Sequence, residues 1–173
     1  MNILKVEGFI LKKKNLLNTD LFLTMFTKEH GKMALMAKGA RKITSRRAAH
    51  LQSGNLVKAR ISSSQDRMFL QSTDLVSGFL QLRTEPISQY IYILLAVVDR
   101  LLPEMVPEPE IFIAMKSYMV QLARGDAPQE VLRISLQTIL NTLGYVDREE
   151  SLSDLILIAE ENMDMKLPSH VIM

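Results

Sequence analysis

The chain of 173 residues contains no cysteine and no tryptophan, and it has only seven glycines and six prolines. Without cysteine it can form neither a disulfide nor a thiolate nucleophile, and it lacks the ligands of the commonest structural zinc sites. Low glycine and proline contents, together with 47% hydrophobic residues spread along the chain, are not typical of a disordered tail. The composition therefore predicts a packed fold.

Long apolar runs are also missing. The run at residues 91–98 is far shorter than the roughly 20 residues that cross a bilayer. Residues 1–6 lack the apolar stretch of an export signal. We therefore expect no membrane partner and a cytoplasmic location.

Charge is distributed unevenly along the chain. Residues 1–60 contain 13 Lys and Arg against 3 Asp and Glu, whereas residues 61–173 contain 8 against 16. The net charge of +2 conceals this asymmetry, which is typical of a polyanion-binding half joined to a half with another role. Nucleic acid is the first candidate partner.

The first 75 residues read as short strands. Runs of about five aliphatic and aromatic residues alternate with polar turns, and the predicted strands are 6–11, 21–26, 33–38, 56–61 and 68–71. Residues 28–32 form a tight connection containing Gly31, and residues 62–66 form a second hairpin-type loop. Closing so small a sheet removes its exposed edges, which favours a five-stranded barrel of the oligonucleotide/oligosaccharide-binding (OB) fold.

The hydrophobic period becomes helical after Thr84. Four helices are predicted: one entered at Pro86 and ended by Pro103, one from Pro109 to near Gly125, one from Pro128 to Gly144, and one from Ser151, where Ser151 and Asp154 resemble a capping box. We expect an α+β chain of two parts. Residues 1–78 form the nucleic-acid-binding OB-fold domain and residues 79–173 form an all-α helical bundle.

No catalytic motif is found. The sequence has no Gly-x-Ser-x-Gly, His-Glu-x-x-His or phosphate-binding Gly-Lys-Ser/Thr pattern. His30, His50 and His170 have no neighbour at metal-ligand spacing, and a solvated or hydrogen-bonding role is expected for each. We predict a protein that is not an enzyme and that needs neither a metal nor another cofactor.

The strongest motif is a basic segment at residues 38–47. Guanidinium groups, ammonium groups and hydroxyls suit phosphate oxygens, although a charged loop can also be plain solvated surface. The predicted DNA contacts are Lys38, Arg41, Lys42, Arg46, Arg47, Lys58 and Arg60. Residues 12–14, all lysine, either add to this surface or only protect a strand edge.

Phenylalanines could add base stacking. Phe22 and Phe26 alternate with aliphatic residues, so they either face outward and stack on bases or pack in the core. The same two alternatives hold for Phe9 and Phe69.

Several segments resemble, in order and spacing, the RecO recombination mediators of bacteria. They are Glu7-Gly8-Phe9-Ile10-Leu11, Phe26-Thr27-Lys28-Glu29-His30-Gly31-Lys32, Lys38-Gly39-Ala40-Arg41-Lys42 with Ser45-Arg46, Val98-Asp99-Arg100-Leu101-Leu102-Pro103-Glu104, and the helix exit Leu143-Gly144-Tyr145. The resemblance covers residues 6–145.

The resemblance implies an OB-fold followed by a helical domain, acting in recombinational repair without catalytic turnover. It implies binding to single- and double-stranded DNA, strand annealing, and help in loading a RecA-like recombinase with RecR-like and single-strand-binding proteins. Lys38, Arg41, Lys42 and Arg46 match the family's basic positions.

Two features depart from the family pattern. Many members carry a four-cysteine zinc module after the Leu-Gly-Tyr exit, and this chain has no cysteine, so zinc is not carried over. The chain also stops at Met173, earlier than we expect for the family, as in a shortened relative or a truncated product.

The helical half is expected to supply the partner surface. An acidic, apolar-tipped tail such as that of single-strand-binding protein needs an apolar groove with cations at its rim, and the basic residues available are Lys116, Arg124 and Arg133. Two other functions remain open. One is an RNA-binding or ribosome-associated OB-fold protein, and the other is an adaptor whose basic patch binds an acidic protein.

Overall fold

The computed structural model describes residues 2–65, 67–79, 82 and 84–168. The chain groups into two compact units. The first unit contains the residues up to Gly78 together with Pro103–Pro107, and the second contains Phe79–Leu102 and the residues from Glu108 onward. Segment Pro103–Pro107 lies between two helices in the sequence, yet it belongs to the strand-containing unit.

The first unit is a closed barrel of five strands with one short helix. The elements are β1 (Asn2–Asn15), β2 (Leu21–Thr27), β3 (Gly31–Ala37), α1 (Arg47–His50), β4 (Leu56–Ser64) and β5 (Arg67–Ser77). The strand order around the barrel is β1-β2-β3-β5-β4, with β3 parallel to β5 and the other pairs antiparallel. This Greek-key order confirms the predicted OB-type fold.

Alternating side chains fill the barrel. In β3 the buried residues Met33, Leu35 and Ala37 alternate with half-buried ones, as a strand with one face in a core requires. The same interior contains Ile10, Leu23, Met25, Val57, Ile61 and Leu70. Ala40 and Leu51, which flank α1, also belong to it, so the β3–β4 connection closes one end of the barrel core.

Four elements differ from the sequence prediction. Strands β1 and β5 are longer than expected. Strand β1 pairs first with β4 and then, through a bulge, with β2, whereas β5 pairs with β4 along its whole length through two shifts of register and meets β3 at Phe69. Helix α1 is a single turn that starts at the last residue of the basic segment. It is too short to show a helical period in the hydrophobic residues. Residues 62–64, predicted as loop, continue β4, and Asp66 lies outside the described residues.

The edge of β3 that β5 leaves open is occupied by the segment Pro103–Pro107. Lys32 forms a parallel bridge with Glu104, and the Met105 N–H donates to the Lys32 carbonyl oxygen at 2.9 Å. Gly31 adopts φ +73°, and a Cβ there would lie 2.1 Å from the Val106 carbonyl oxygen. Only glycine therefore allows this close approach.

The second unit consists of four helices. They are α2 (Ile87–Leu101), α3 (Pro109–Arg124), α4 (Pro128–Thr142) and α5 (Leu152–Met163). Helix α4 packs against α2, α3 and α5. Within the described part of the chain, no helix has the length and apolar character needed to cross a bilayer.

Helix ends follow the predicted signals. Pro109 and Pro128 stand in the first turns of α3 and α4, and Gly125 caps α3 with φ +87°. Gly144, just beyond α4, also has a left-handed φ of +81°. The side chain of Ser151 accepts a hydrogen bond from the Asp154 N–H, which caps α5.

Candidate nucleic-acid interface

The basic loop, defined here as residues 38–46, leaves the end of β3 and leads into α1. Lys38, Arg41, Lys42 and Arg46 are exposed, whereas Ala40 between them is buried in the barrel core. Turn hydrogen bonds from Lys42 N–H to Gly39 and from Ser45 N–H to Lys42 fold the loop back on itself. The loop is therefore anchored by Ala40 and displays its cations to solvent.

The basic loop is joined to the loop between β1 and β2. Arg41 donates through its main-chain N–H to the Thr19 carbonyl at 2.8 Å, and its Nη1 donates to the carbonyls of Leu16 at 3.1 Å and Asn18 at 3.2 Å. Asp20 Oδ1 accepts from the Gly39 N–H at 2.7 Å. Part of the Arg41 guanidinium therefore holds the β1–β2 loop in place, a role that the neighbouring residues in the sequence do not indicate.

Arg47 belongs to the predicted contact set, but its guanidinium serves the protein itself. Nη2 donates to the Lys38 carbonyl at 2.6 Å and Nη1 to the Leu70 carbonyl at 3.0 Å, with a longer contact to Gln71 at 3.5 Å. The side chain is half-buried. Arg47 therefore ties the start of the basic loop to β5, and we leave it out of the proposed DNA contacts.

Lys58 and Arg60 lie on β4, outside the basic loop. Both are exposed on β4, with Glu7 and Asp74 in the positions opposite Lys58 on β1 and β5. Arg60 stands opposite Lys5 and Ser72. A shallow groove of about 420 Å³ is lined by Lys5, Glu7, Lys58, Arg60 and Asp74, together with Glu29. Its mixed charge contrasts with the uniformly basic loop.

The four phenylalanines of the barrel divide into two classes. Phe9 and Phe26 are fully buried, so neither ring is open to a base. Phe22 is 39% exposed at the start of β2, next to the basic loop. Phe69 is half-buried, and the Lys38 ammonium lies 4.8 Å from the centre of its ring.

The three cations predicted for partner binding occupy two helices. Lys116 and Arg124 are exposed on α3, and the Lys116 ammonium lies 5.9 Å from the Phe112 ring centre. Arg133 on α4 makes two short hydrogen bonds to Glu130, of 2.7 and 3.0 Å. The hydrogen bond from Arg133 lowers the pKa of the Glu130 carboxyl. Arg133 thus already has a carboxylate partner.

The histidines that the structure describes make ordinary hydrogen bonds. His50 Nδ1 lies 3.0 Å from Thr73 Oγ1, and the His30 main-chain N–H donates to Thr27 Oγ1. His170 lies outside the described residues. In the described ranges, no group of three His, Asp or Glu side chains is placed to hold a metal ion.

Comparison with known families matches both parts of the chain. Residues 1–79 match the family model described as Recombination protein O N terminal, and residues 88–146 match the one described as Recombination protein O C terminal. The chain belongs to the RecO family. The N-terminal match includes the whole basic loop, and the C-terminal match ends just beyond the Leu143-Gly144-Tyr145 helix exit.

Curated relatives carry the name DNA repair protein RecO. The protein from Syntrophobacter fumaroxidans is 28% identical over 152 residues, which cover 87% of this chain and 61% of the relative. The proteins from Geobacter sulfurreducens and Myxococcus xanthus are 29% and 30% identical, over 84% and 85% of this chain. The chain spans about three-fifths of the length of these relatives.

Proposed function

We propose that this RecO family member is a non-enzymatic DNA-binding mediator of recombinational repair. In this proposal it binds and anneals single-stranded DNA at the nucleoid, also binds duplex, and helps to load a RecA-like recombinase together with RecR-like and single-strand-binding proteins. The observation that carries the proposal is the exposed cationic loop, which backbone contacts of Arg41 and Arg47 hold against the barrel.

The basic loop has the chemistry for gripping phosphates. Lys38, Lys42 and Arg46 are exposed, and Arg41 retains donors beyond the one that binds the β1–β2 loop. A surface that neutralises phosphates lowers the repulsion between two strands held on it, so annealing needs no nucleotide hydrolysis. Contacts from these four residues to about four phosphates give a log–log salt slope of roughly −2.8 on single strands.

We propose that α3 supplies the partner surface. Ile113, Lys116, Val120 and Arg124 follow one another at spacings of three and four, so they share one stripe of the helix. Ile113 is 66% and Val120 40% exposed. A helix stripe in which two exposed apolar side chains alternate with two cations suits an acidic peptide with an apolar end.

A salt titration with two double variants tests the DNA site. Lys42→Ala/Arg46→Ala is expected to weaken binding of a labelled single-stranded oligonucleotide and to make the salt slope less steep by about 1.4, because two phosphate contacts are lost. Lys58→Ala/Arg60→Ala removes the same charge from the mixed-charge groove and is expected to leave the slope within about 0.5 of the wild type. Equal losses in both variants would refute the assignment to the loop.

Competition separates the proposal from its alternatives. A DNA mediator retains single-stranded DNA in the presence of structured RNA, whereas an RNA-binding protein of the same fold releases it. An adaptor for an acidic protein binds neither nucleic acid at physiological salt.

A further inference from the structure

One row of outward-facing side chains crosses four strands beside the basic loop. Lys14 of β1 stands opposite Phe22 of β2, Phe22 opposite Met36 of β3, and Met36 opposite Phe69 of β5. Residues directly opposite each other share a face of the sheet. Neighbouring strands lie about 4.8 Å apart, so Phe22 and Phe69 are separated by about 10 Å.

The outward side of β2 is open to solvent at the end near the basic loop. Phe22 is 39% exposed, whereas Thr24 and Phe26, which point outward farther along β2, are 6% and 0% exposed. Met36 and Phe69, which follow Phe22 in the row, are half-buried. The accessible aromatic surface is therefore confined to the end of the face that adjoins the phosphate-binding cations.

Cations flank this surface on two sides. Lys14 is exposed next to Phe22, and Lys38 continues the outward side of β3 two residues beyond Met36. The Lys38 ammonium is held 4.8 Å from the ring centre of Phe69, which fixes it at the border of the row. An apolar surface between two ammonium groups complements a base between two phosphates, because each nucleotide carries both features.

We propose that Phe22 is a base-stacking residue, with Met36 as the floor of its site and Lys14 and Lys38 binding the phosphates on either side. Stacking requires an unpaired base, whereas phosphate contacts do not distinguish single strands from duplex. Phe22 therefore gives the protein a preference for single-stranded over double-stranded DNA. This inference rests on the proposed function and adds the determinant of strand preference.

Substitutions at Phe22 test the inference with labelled oligothymidylate and a duplex of equal length. Phe22→Ala is expected to weaken single-strand binding about 5- to 150-fold, the range for loss of one stacked base. The salt slope and duplex binding are expected to remain unchanged, because no phosphate contact is removed. Phe22→Leu keeps an apolar side chain without an aromatic face and behaves like Phe22→Ala, whereas Phe22→Tyr retains the wild-type affinity.

Two controls separate stacking from general effects. Tyr92→Ala removes an aromatic ring that is 51% exposed on α2 and is expected to leave both affinities unchanged. Thermal melting of the Phe22 variants checks that the barrel is folded. Wild-type single-strand affinity in both Phe22→Ala and Phe22→Leu overturns the inference, as do equal losses on single strands and duplex.

Failure of this inference is distinguishable from failure of the proposed function. If Phe22→Ala binds normally while Lys42→Ala/Arg46→Ala binds weakly, the basic loop grips DNA and the stacking site is refuted. If the wild-type protein binds no oligonucleotide at low salt, both are refuted together.

Discussion

Two neighbouring arginines, Arg46 and Arg47, look equivalent in the sequence and have different surroundings in the structure. Arg46 is exposed, whereas Arg47 is half-buried with its donors on the carbonyls of Lys38 and Leu70. A guanidinium that satisfies main-chain carbonyls contributes to stability, and its removal leaves partly buried acceptors unpaired.

Arg47→Ala is expected to destabilise the barrel by about 1–3 kcal/mol, because charged hydrogen bonds to backbone are lost. Arg46→Ala, the control with the same charge change, is expected to stay within about 0.5 kcal/mol of the wild type. Hydrogen exchange of the β5 amides measures the effect. All four tyrosines, at positions 90, 92, 118 and 145, lie beyond the barrel strands, so tyrosine fluorescence follows the helical unit separately. Unchanged β5 protection in Arg47→Ala would contradict the anchoring role.

The sequence could indicate the candidate site only as a charged segment. Composition located the basic loop, because the excess of Lys and Arg over acids requires no knowledge of the fold. Composition could not separate Arg46 from Arg47, since the carbonyls that bind Arg47 belong to Lys38, at the start of the basic loop, and to Leu70 of β5, and only the fold brings them to the guanidinium. Composition also could not show which of Phe22 and Phe26 is exposed, because both point outward on β2 and differ in how much of that face is covered.

At the scale of elements, the sequence indicated the helices better than the strands. Prolines, glycines and the Ser151 cap are local signals, and the structure places them at helix ends. The length of a strand depends on how far its neighbouring strands continue the pairing. That is a property of the closed barrel, so β1 and β5 extend well past their apolar runs.

Helix α3 allows an element-scale test of the partner surface. Lys116→Ala/Arg124→Ala is expected to weaken binding of a peptide with the acidic carboxyl-terminal sequence of single-strand-binding protein, by about three- to tenfold at low salt. Isothermal titration calorimetry measures the affinity. Arg133→Ala is the comparison variant and is expected to change it less than twofold, because Arg133 is paired with Glu130. A larger loss in Arg133→Ala would move the surface to α4.

At the scale of the whole molecule, charge and fold divide at nearly the same place. Residues 1–60, with 13 basic and 3 acidic residues, fall in the barrel unit, and most acidic residues fall in the helical unit. A polyanion is therefore attracted to one unit and repelled by the other, which leaves the helical unit available for protein partners in the proposed function.

Gly31 and Gly125 provide a matched test of the link between β3 and Pro103–Pro107. Both have positive φ, but a Cβ at Gly31 would overlap the Val106 carbonyl, whereas at Gly125 nothing lies within 4 Å. Gly125→Ala is expected to cost only about 1–2 kcal/mol of backbone strain. Gly31→Ala is expected to displace the segment, which hydrogen exchange detects as lost protection of the Met105 amide. Protection retained in Gly31→Ala would show that the segment adjusts in place.

The position of Pro103–Pro107 also determines how separable the two halves are. The chain passes from one unit to the other three times, after residues 78, 102 and 107. A recombinant barrel ending at Gly78 would lack the peptide that covers the edge of β3, and that bare edge is the kind that recruits foreign strands and aggregates. A hybrid that takes one unit from another protein would therefore need three new junctions. A barrel produced alone would need a tethered copy of Pro103–Pro107 to cover the edge of β3.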